Sequence, residues 1–150
     1  MKENVSLYLR KGLQSALIIL FLAFVTTGCA RKFKFESSIV VPSAEGTVKI
    51  KKDRNKNYAV TVKTTHLAEA GKLTPPRNLY VVWMRTEFNG TKNIGQFKTS
   101  GGLLSKKLRA SLSTVSPFKP IQVFITGEED GNVSYPSQQI VLTTGLLRVK

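Results

Sequence analysis

Few residues in this chain are of a type that does chemistry, and they do not converge. Among 150 residues there is one cysteine, Cys29, and one histidine, His66. A thiolate–imidazole pair, or a zinc site of Cys and His ligands, needs these types clustered at short spacing. One of each, far apart, gives no such cluster. The serines show no Gly-x-Ser-x-Gly elbow. Ser100-Gly101-Gly102 lacks the lysine and the following helix of a phosphate loop. His66 ends an expected strand beside a loop and is read as a surface or half-buried polar residue. Neither an enzyme activity nor a cofactor is expected.

Two charged clusters remain. Glu128-Glu129-Asp130-Gly131-Asn132 sets three carboxylates and an amide around a glycine, and oxygen ligands of that kind suit Ca²⁺. The spacing is not that of an EF-hand, and a tight hairpin turn draws on the same residue types. The segment is therefore read as a turn, with Glu128, Glu129 and Asp130 kept as the metal candidates. The basic cluster is larger: Lys49, Lys51, Lys52, Arg54 and Lys56 fall on one expected hairpin. Arg31, Lys32 and Lys34 form a second group just after Cys29. The whole chain has 23 basic and 9 acidic residues, a net charge of +14. Such an excess asks for an anionic partner: phosphates of lipopolysaccharide, an acidic glycan or a membrane surface. Nucleic acid is not expected, because no basic motif interleaved with aromatic residues is present. The alternative is a solvated face that keeps the protein soluble.

What precedes Cys29 suggests export. Lys2, Arg10 and Lys11 lead into an apolar run, Leu13 to Val25, interrupted by Gln14 and Ser15. That is the length of a secretory h-region and short of the ~20 apolar residues of a spanning helix. Thr26-Thr27-Gly28-Cys29 then resembles the lipobox of bacterial lipoproteins, Leu-(Ala/Ser/Thr)-(Gly/Ala)-Cys. Thr27, Gly28 and Cys29 match it, and Thr26 stands where the family usually has Leu. The resemblance implies cleavage after residue 28 and a diacylglyceryl group, with further acylation, on Cys29. The partner is then a membrane, held through that lipid. Ala30, where an aspartate would favour inner-membrane retention, implies the outer membrane. An ordinary cleavage near Gly28 or Ala30, or an uncleaved anchor, are the alternatives. Without residues 1–28 the chain keeps 122 residues, 20 basic against 8 acidic, and no cysteine beyond Cys29 for a disulfide. Arg31, Lys32 and Lys34 would lie near the head groups, where a cation gains about 1 kcal/mol from anionic lipid.

The elements that must position these residues read as strands. Runs are short, rich in Val, Ile, Thr, Tyr and Phe, and broken by Gly, Pro, Asn and Ser. A first strand is expected at Phe33–Val41, turned by Pro42-Ser43-Ala44. Thr47–Lys52 and Tyr58–Thr65 alternate cleanly. Pairing Ile50 with Val60 sets Lys51 opposite Ala59, leaves Arg54-Asn55-Lys56 as the turn and puts the apolar sets on one face. Leu67–Arg77, with Pro75-Pro76, is a crossing loop. Leu79–Arg85 is apolar on both faces, as a central strand is. Asn89-Gly90 turns it back along Asn93–Thr99. Leu104–Leu112 is read as a strand with Lys107 and Arg109 outward, a helix over 103–110 being the alternative. Ile121–Thr126, a turn at Glu128–Asn132 and Gln139–Thr143 make a last hairpin. Seven or eight strands at this spacing predict an all-β chain, one antiparallel sandwich of immunoglobulin-like kind.

The order of landmarks also bears a likeness. Leu79-Tyr80-Val81-Val82-Trp83, Gly95, a strand to Leu112, Ile121–Thr126, Glu128, Gly131, Tyr135-Pro136 and Ile140-Val141-Leu142 follow one another. This sequence of features resembles the extracytoplasmic β-sandwich of anti-sigma-K-factor-type proteins, over roughly residues 46–144. Asn132 stands where that family has the second of two glycines, and the sigma-binding helical part is missing. The resemblance implies the fold and an envelope role, and no functional residue transfers with it. The expected organisation is a lipoprotein signal at 1–28, a lipidated tether at 29–38 and a β-sandwich at 39–150. The expected role is that of a non-enzymatic binding or structural module of the envelope. The alternative is a sensor or binder of acidic envelope polymer, working through Lys49–Lys56.

Overall fold

A computed structural model of the chain describes residues 30–97 and 108–149. Cys29, the expected signal sequence, Thr99, Gly101-Gly102, Leu104 and Lys107 lie outside the described residues. The strands are β1 (Arg31–Lys34), β2 (Glu45–Lys52), β3 (Tyr58–Thr65), β4 (Leu79–Thr86), β5 (Thr91–Phe97), β6 (Arg109–Ser116), β7 (Pro120–Glu128) and β8 (Ile140–Thr143). They form two antiparallel four-stranded sheets, ordered β1-β2-β3-β6 and β5-β4-β7-β8. The chain is all-β, as its alternation predicts.

Period-two alternation places the core. Val48 and Ile50 on β2 and Tyr58, Val60 and Val62 on β3 turn inward and are buried. Tyr80, Val82 and Met84 on β4 and Val123 and Ile125 on β7 meet them from the second sheet in one cluster. Removing each such side chain from water contributes roughly 1.5–3 kcal/mol. The β2–β3 register is the expected one: Ile50 pairs with Val60 and Lys51 with Ala59.

β4 is buried on both faces. Leu79, Val81 and Trp83, on its far side, pack with Phe124 and Val133 in a second, smaller cluster. The connection from β7 to β8 supplies the cover. Asn93 Nδ2 donates to the carbonyl of Gly131 at 2.9 Å, which ties that connection down near β5. β5 pairs with β4 through a bulge, where Val82 faces Gly95 and Trp83 faces Asn93. Gly95 takes φ 138° there, a conformation L side chains rarely adopt. The β4–β5 turn itself is at Asn89-Gly90, as expected, with Gly90 at φ 70°.

Three boundaries differ from the sequence reading. The first strand is Arg31–Lys34 rather than Phe33–Val41, so residues expected as tether are part of a sheet. The apolar run Ile39-Val40-Val41 forms a bend instead, with Ser38 Oγ accepting from the Val41 N–H at 2.9 Å and Ile39 97 % exposed. β7 runs through Glu128, where a turn was expected, because partners within the fold satisfy the buried carboxylate. β6 runs on to Ser116; the helix alternative for 103–110 falls mostly outside the described residues.

β1 closes an edge. It pairs with β2 on one side, and on the other Phe35 bridges Thr144 while the Glu36 N–H donates to the Thr143 carbonyl at 2.8 Å. The Arg31 guanidinium donates to the Arg148 carbonyl further along. The two sheets are thus laced along this edge, which blunts the exposed-strand hazard there.

Candidate anion-binding surface

The outward face of the β1-β2-β3-β6 sheet is built by the same alternation that fills the core. Where Val48 and Ile50 turn in, Lys49 and Lys51 turn out; where Val62 turns in, Lys63 turns out. Lys32 and Lys34 on β1 flank the inward Phe33, and Arg109 begins β6 on the outer side. All six cations are exposed. Between them stand small neutral residues: register places Lys34 beside Thr47, Thr47 beside Lys63, Lys63 beside Ser111 and Lys51 beside Ala59. Residues two apart on a strand are ~6.8 Å apart and neighbouring strands ~4.8 Å, so the charges form a grid rather than a cluster.

One position in that grid is costly. Lys32 lies directly opposite Lys49 across the β1–β2 pair. Like charges facing each other in a sheet destabilise it. Ion pairs among the described residues join Lys72 to Glu69, Arg77 to Glu129 and Lys119 to Glu87. None of them neutralises this face.

The basic hairpin therefore divides. Lys49 and Lys51 belong to the sheet face, whereas Lys52, Arg54 and Lys56 sit at the tip. The tip is a three-residue turn closed by the Asp53 N–H donating to the Asn57 carbonyl at 2.8 Å. Asn57 in turn donates its N–H to Asp53 Oδ1 at 2.8 Å. Lys56 takes φ 65° to complete it. Lys52 Nζ lies 5.6 Å from the centre of the Tyr58 ring, a cation–π contact. Lys63 and Arg109 join this face although neither lies on the basic hairpin Lys49–Lys56 that the sequence singles out. The outward alternation of each strand was visible, but the pairing of β1 with β2 and of β6 with β3 was not.

The acidic segment does not converge on a cation. Glu128 is 5 % exposed and turned into the fold. Trp83 Nε1 donates to Thr126 Oγ1 at 2.8 Å, Thr126 Oγ1 donates to Glu128 Oε1, and the Ser137 N–H donates to the same oxygen at 2.8 Å. Glu129 instead pairs with Arg77 at 3.2 Å, and Asp130 Oδ1 accepts from the Asn132 N–H at 3.0 Å. The chain from indole to carboxylate fixes the β7–β8 connection over Trp83, a structural task. Among the described residues no three His, Cys, Asp or Glu side chains are placed to hold a metal ion. His66 is exposed at φ 56°, its carbonyl accepting from Ser43 Oγ at 3.3 Å.

An open cleft of about 440 Å³ lies at the other end of the β1–β2 pair, lined in part by Lys34, Glu36, Glu45 and Lys63. Both signs of charge line it, so it favours neither anions nor cations. Comparison with protein-family models, with curated proteins and with solved structures finds no match.

Proposed function

We propose that the protein is a lipid-anchored protein of the bacterial envelope, held through acylated Cys29, whose β-sandwich is a non-enzymatic binding or structural module. The lipobox-like Thr26-Thr27-Gly28-Cys29 supports the anchor, and Ala30 supports the outer membrane as its address. The observation that carries the binding role is the opposed pair Lys32–Lys49 within an outward face whose lysines make no ion pair among the described residues. A sheet that bears like charges face to face gains free energy when an anion covers them. The strand order, with β3 beside β6 and β4 between β5 and β7, supports an immunoglobulin-like arrangement. The likeness to the anti-sigma-K-factor-type sandwich supports an envelope role without naming a ligand.

A second reading follows from the same face: the ligand is an acidic envelope polymer, a lipopolysaccharide or an anionic glycan. The grid of Lys32, Lys34, Lys49, Lys51 and Lys63 matches a repeating anion better than a single phosphate, because it is spread over three strands and the cleft that takes in Lys34 and Lys63 also carries Glu36 and Glu45. Fractionation tests the main proposal. The full chain should distribute to membranes, and Cys29→Ser should remain unprocessed or move to the soluble fraction. A mature, membrane-bound Cys29→Ser protein of unchanged size would count against it.

A further inference from the structure

Resting on the acylation of Cys29 proposed above, we infer that the end of the sandwich carrying the β2–β3 and β4–β5 turns is a docking surface for an anionic lipid bilayer. The register assembles this end. Ser116 lies level with Tyr58 on one sheet and Pro120 level with Thr86 on the other. The short connection through Phe118 and Lys119 bridges them, so both turns lie at the same end. Arg31 opposes Ile50, two positions before the end of β2, and its guanidinium reaches the Arg148 carbonyl. The Leu147 N–H donates to the Ile121 carbonyl at 2.8 Å, which brings the 146–148 segment to this end as well.

Two large apolar side chains stand in solvent there: Phe88 at the β4–β5 turn, 88 % exposed, and Leu146, 77 % exposed. Lys52, Arg54 and Lys56 surround the neighbouring turn. The two carboxylates at the turns are already engaged, Asp53 by Asn57 and Glu87 by Lys119 at 2.9 Å. Exposed Phe and Leu beside cations is the composition of surfaces that sit at a head-group boundary, the rings and aliphatics entering it and the cations pairing with anionic lipid. A soluble polyanion would use the cations and gain nothing from Phe88 and Leu146.

The position of the anchor points the same way. One residue, Ala30, separates Cys29 from the first residue of β1, and two residue steps span at most ~7 Å. A lipid on Cys29 therefore emerges at this end. With no slack between lipid and sheet, the domain stands end-on, and the cationic face of the β1-β2-β3-β6 sheet rises away from the bilayer, open to ligand.

The test uses the full-length protein, purified in its acylated form and reconstituted in vesicles containing brominated lipid, with or without phosphatidylglycerol. In Phe88→Trp the new indole should be quenched and blue-shifted in the anionic vesicles. In Tyr135→Trp, on the β7–β8 connection, it should not, and buried Trp83 contributes the same background to both. Acylated protein that floats with the vesicles while Phe88→Trp stays as unquenched as Tyr135→Trp overturns the docking and leaves the anchor standing. Protein whose Cys29 carries no acyl group, by mass, overturns the anchor reading and the inference built on it. Protection of the 52–57 turn from hydrogen exchange by soluble dextran sulfate, but not by anionic vesicles, would make this end a polymer site and overturn the proposal.

Discussion

Lys32 and Lys49 face each other directly across the β1–β2 pair, both exposed and both on the outward side of the sheet. Their repulsion is a cost that an anion covering the proposed binding face would relieve. Lys32→Glu should raise stability by roughly 0.2–1 kcal/mol, since it turns a repulsive cross-strand pair into an attractive one. The same change should weaken binding to an immobilised polyanion several-fold and lower its salt dependence. Chemical denaturation and salt-gradient elution measure the two effects. A gain in both stability and polyanion binding would contradict the anion-binding role.

Lys56 occupies the left-handed position of the β2–β3 turn at φ 65°. A side chain held there costs of order 1 kcal/mol relative to glycine. Lys56→Gly should therefore leave stability unchanged or raise it by up to about 1 kcal/mol, despite removing a side chain. Urea unfolding of the variant checks this, and a clear loss would mean that the lysine makes a stabilising contact at the tip.

Glycine at 46 answers a different constraint. A Cβ there would lie 2.7 Å from the backbone carbonyl of Lys63 and 2.8 Å from the Phe35 ring. The carbonyl belongs to the β2–β3 ladder and cannot yield without disturbing it. Gly46→Ala should cost about 1–3 kcal/mol. Gly131→Ala should cost less, because its close neighbour is the movable end of Gln96.

Glu128 should behave as a structural group. Glu128→Ala leaves Thr126 Oγ1 and the Ser137 N–H without their shared acceptor in a buried setting and should cost roughly 2–4 kcal/mol, combining lost hydrogen bonds with lost packing. Glu128→Gln keeps an acceptor and should recover about half of that loss. Added Ca²⁺ should not shift the melting temperature of either variant.

Tyr80 is fully buried and donates its hydroxyl proton to the Ala68 carbonyl at 2.9 Å. Desolvation pushes its pKa up from 10.0 to about 12. The folded state therefore holds this proton more tightly than the unfolded one. The stability tied to it is present in full below pH 10 and is lost as pH rises toward 12, up to about 2–3 kcal/mol. Tyr80→Phe should cost about 1 kcal/mol at pH 7. The variant and the parent should then converge, or cross, above pH 11. Parallel stability curves from pH 9 to pH 12 would contradict the assignment.

How much of this was legible in the sequence depended on how local the cause was. Tyr58–Thr65 alternates without a break, and only one register of its hairpin puts Val60 against Ile50 with both inward, so β2, β3 and their turn followed from residues close in the chain. The β1 boundary did not. Ile39-Val40-Val41 looks like the end of a strand, yet the Ser38 hydroxyl caps a bend there, and the strand is set by pairing with β2 and with residues 143–144. Glu128 reads as part of a polar turn because its burial depends on Thr126 and on Ser137, nine positions on. The cationic face shows the same division: each outward lysine was visible on its own strand, and the grid exists only once β1 and β6 take their places.

Acylation of Cys29 is the central proposal, since such an anchor would set both the place of the protein and the orientation inferred for the sandwich. Intact-mass and peptide mass spectrometry of the protein extracted from membranes tests it directly. The expected mature chain begins at Cys29, with a diacylglyceryl group on its sulfur and Ala30 next. A mature chain beginning at Ala30 or Arg31, or one that keeps residues 1–28 with an unmodified thiol, would contradict it.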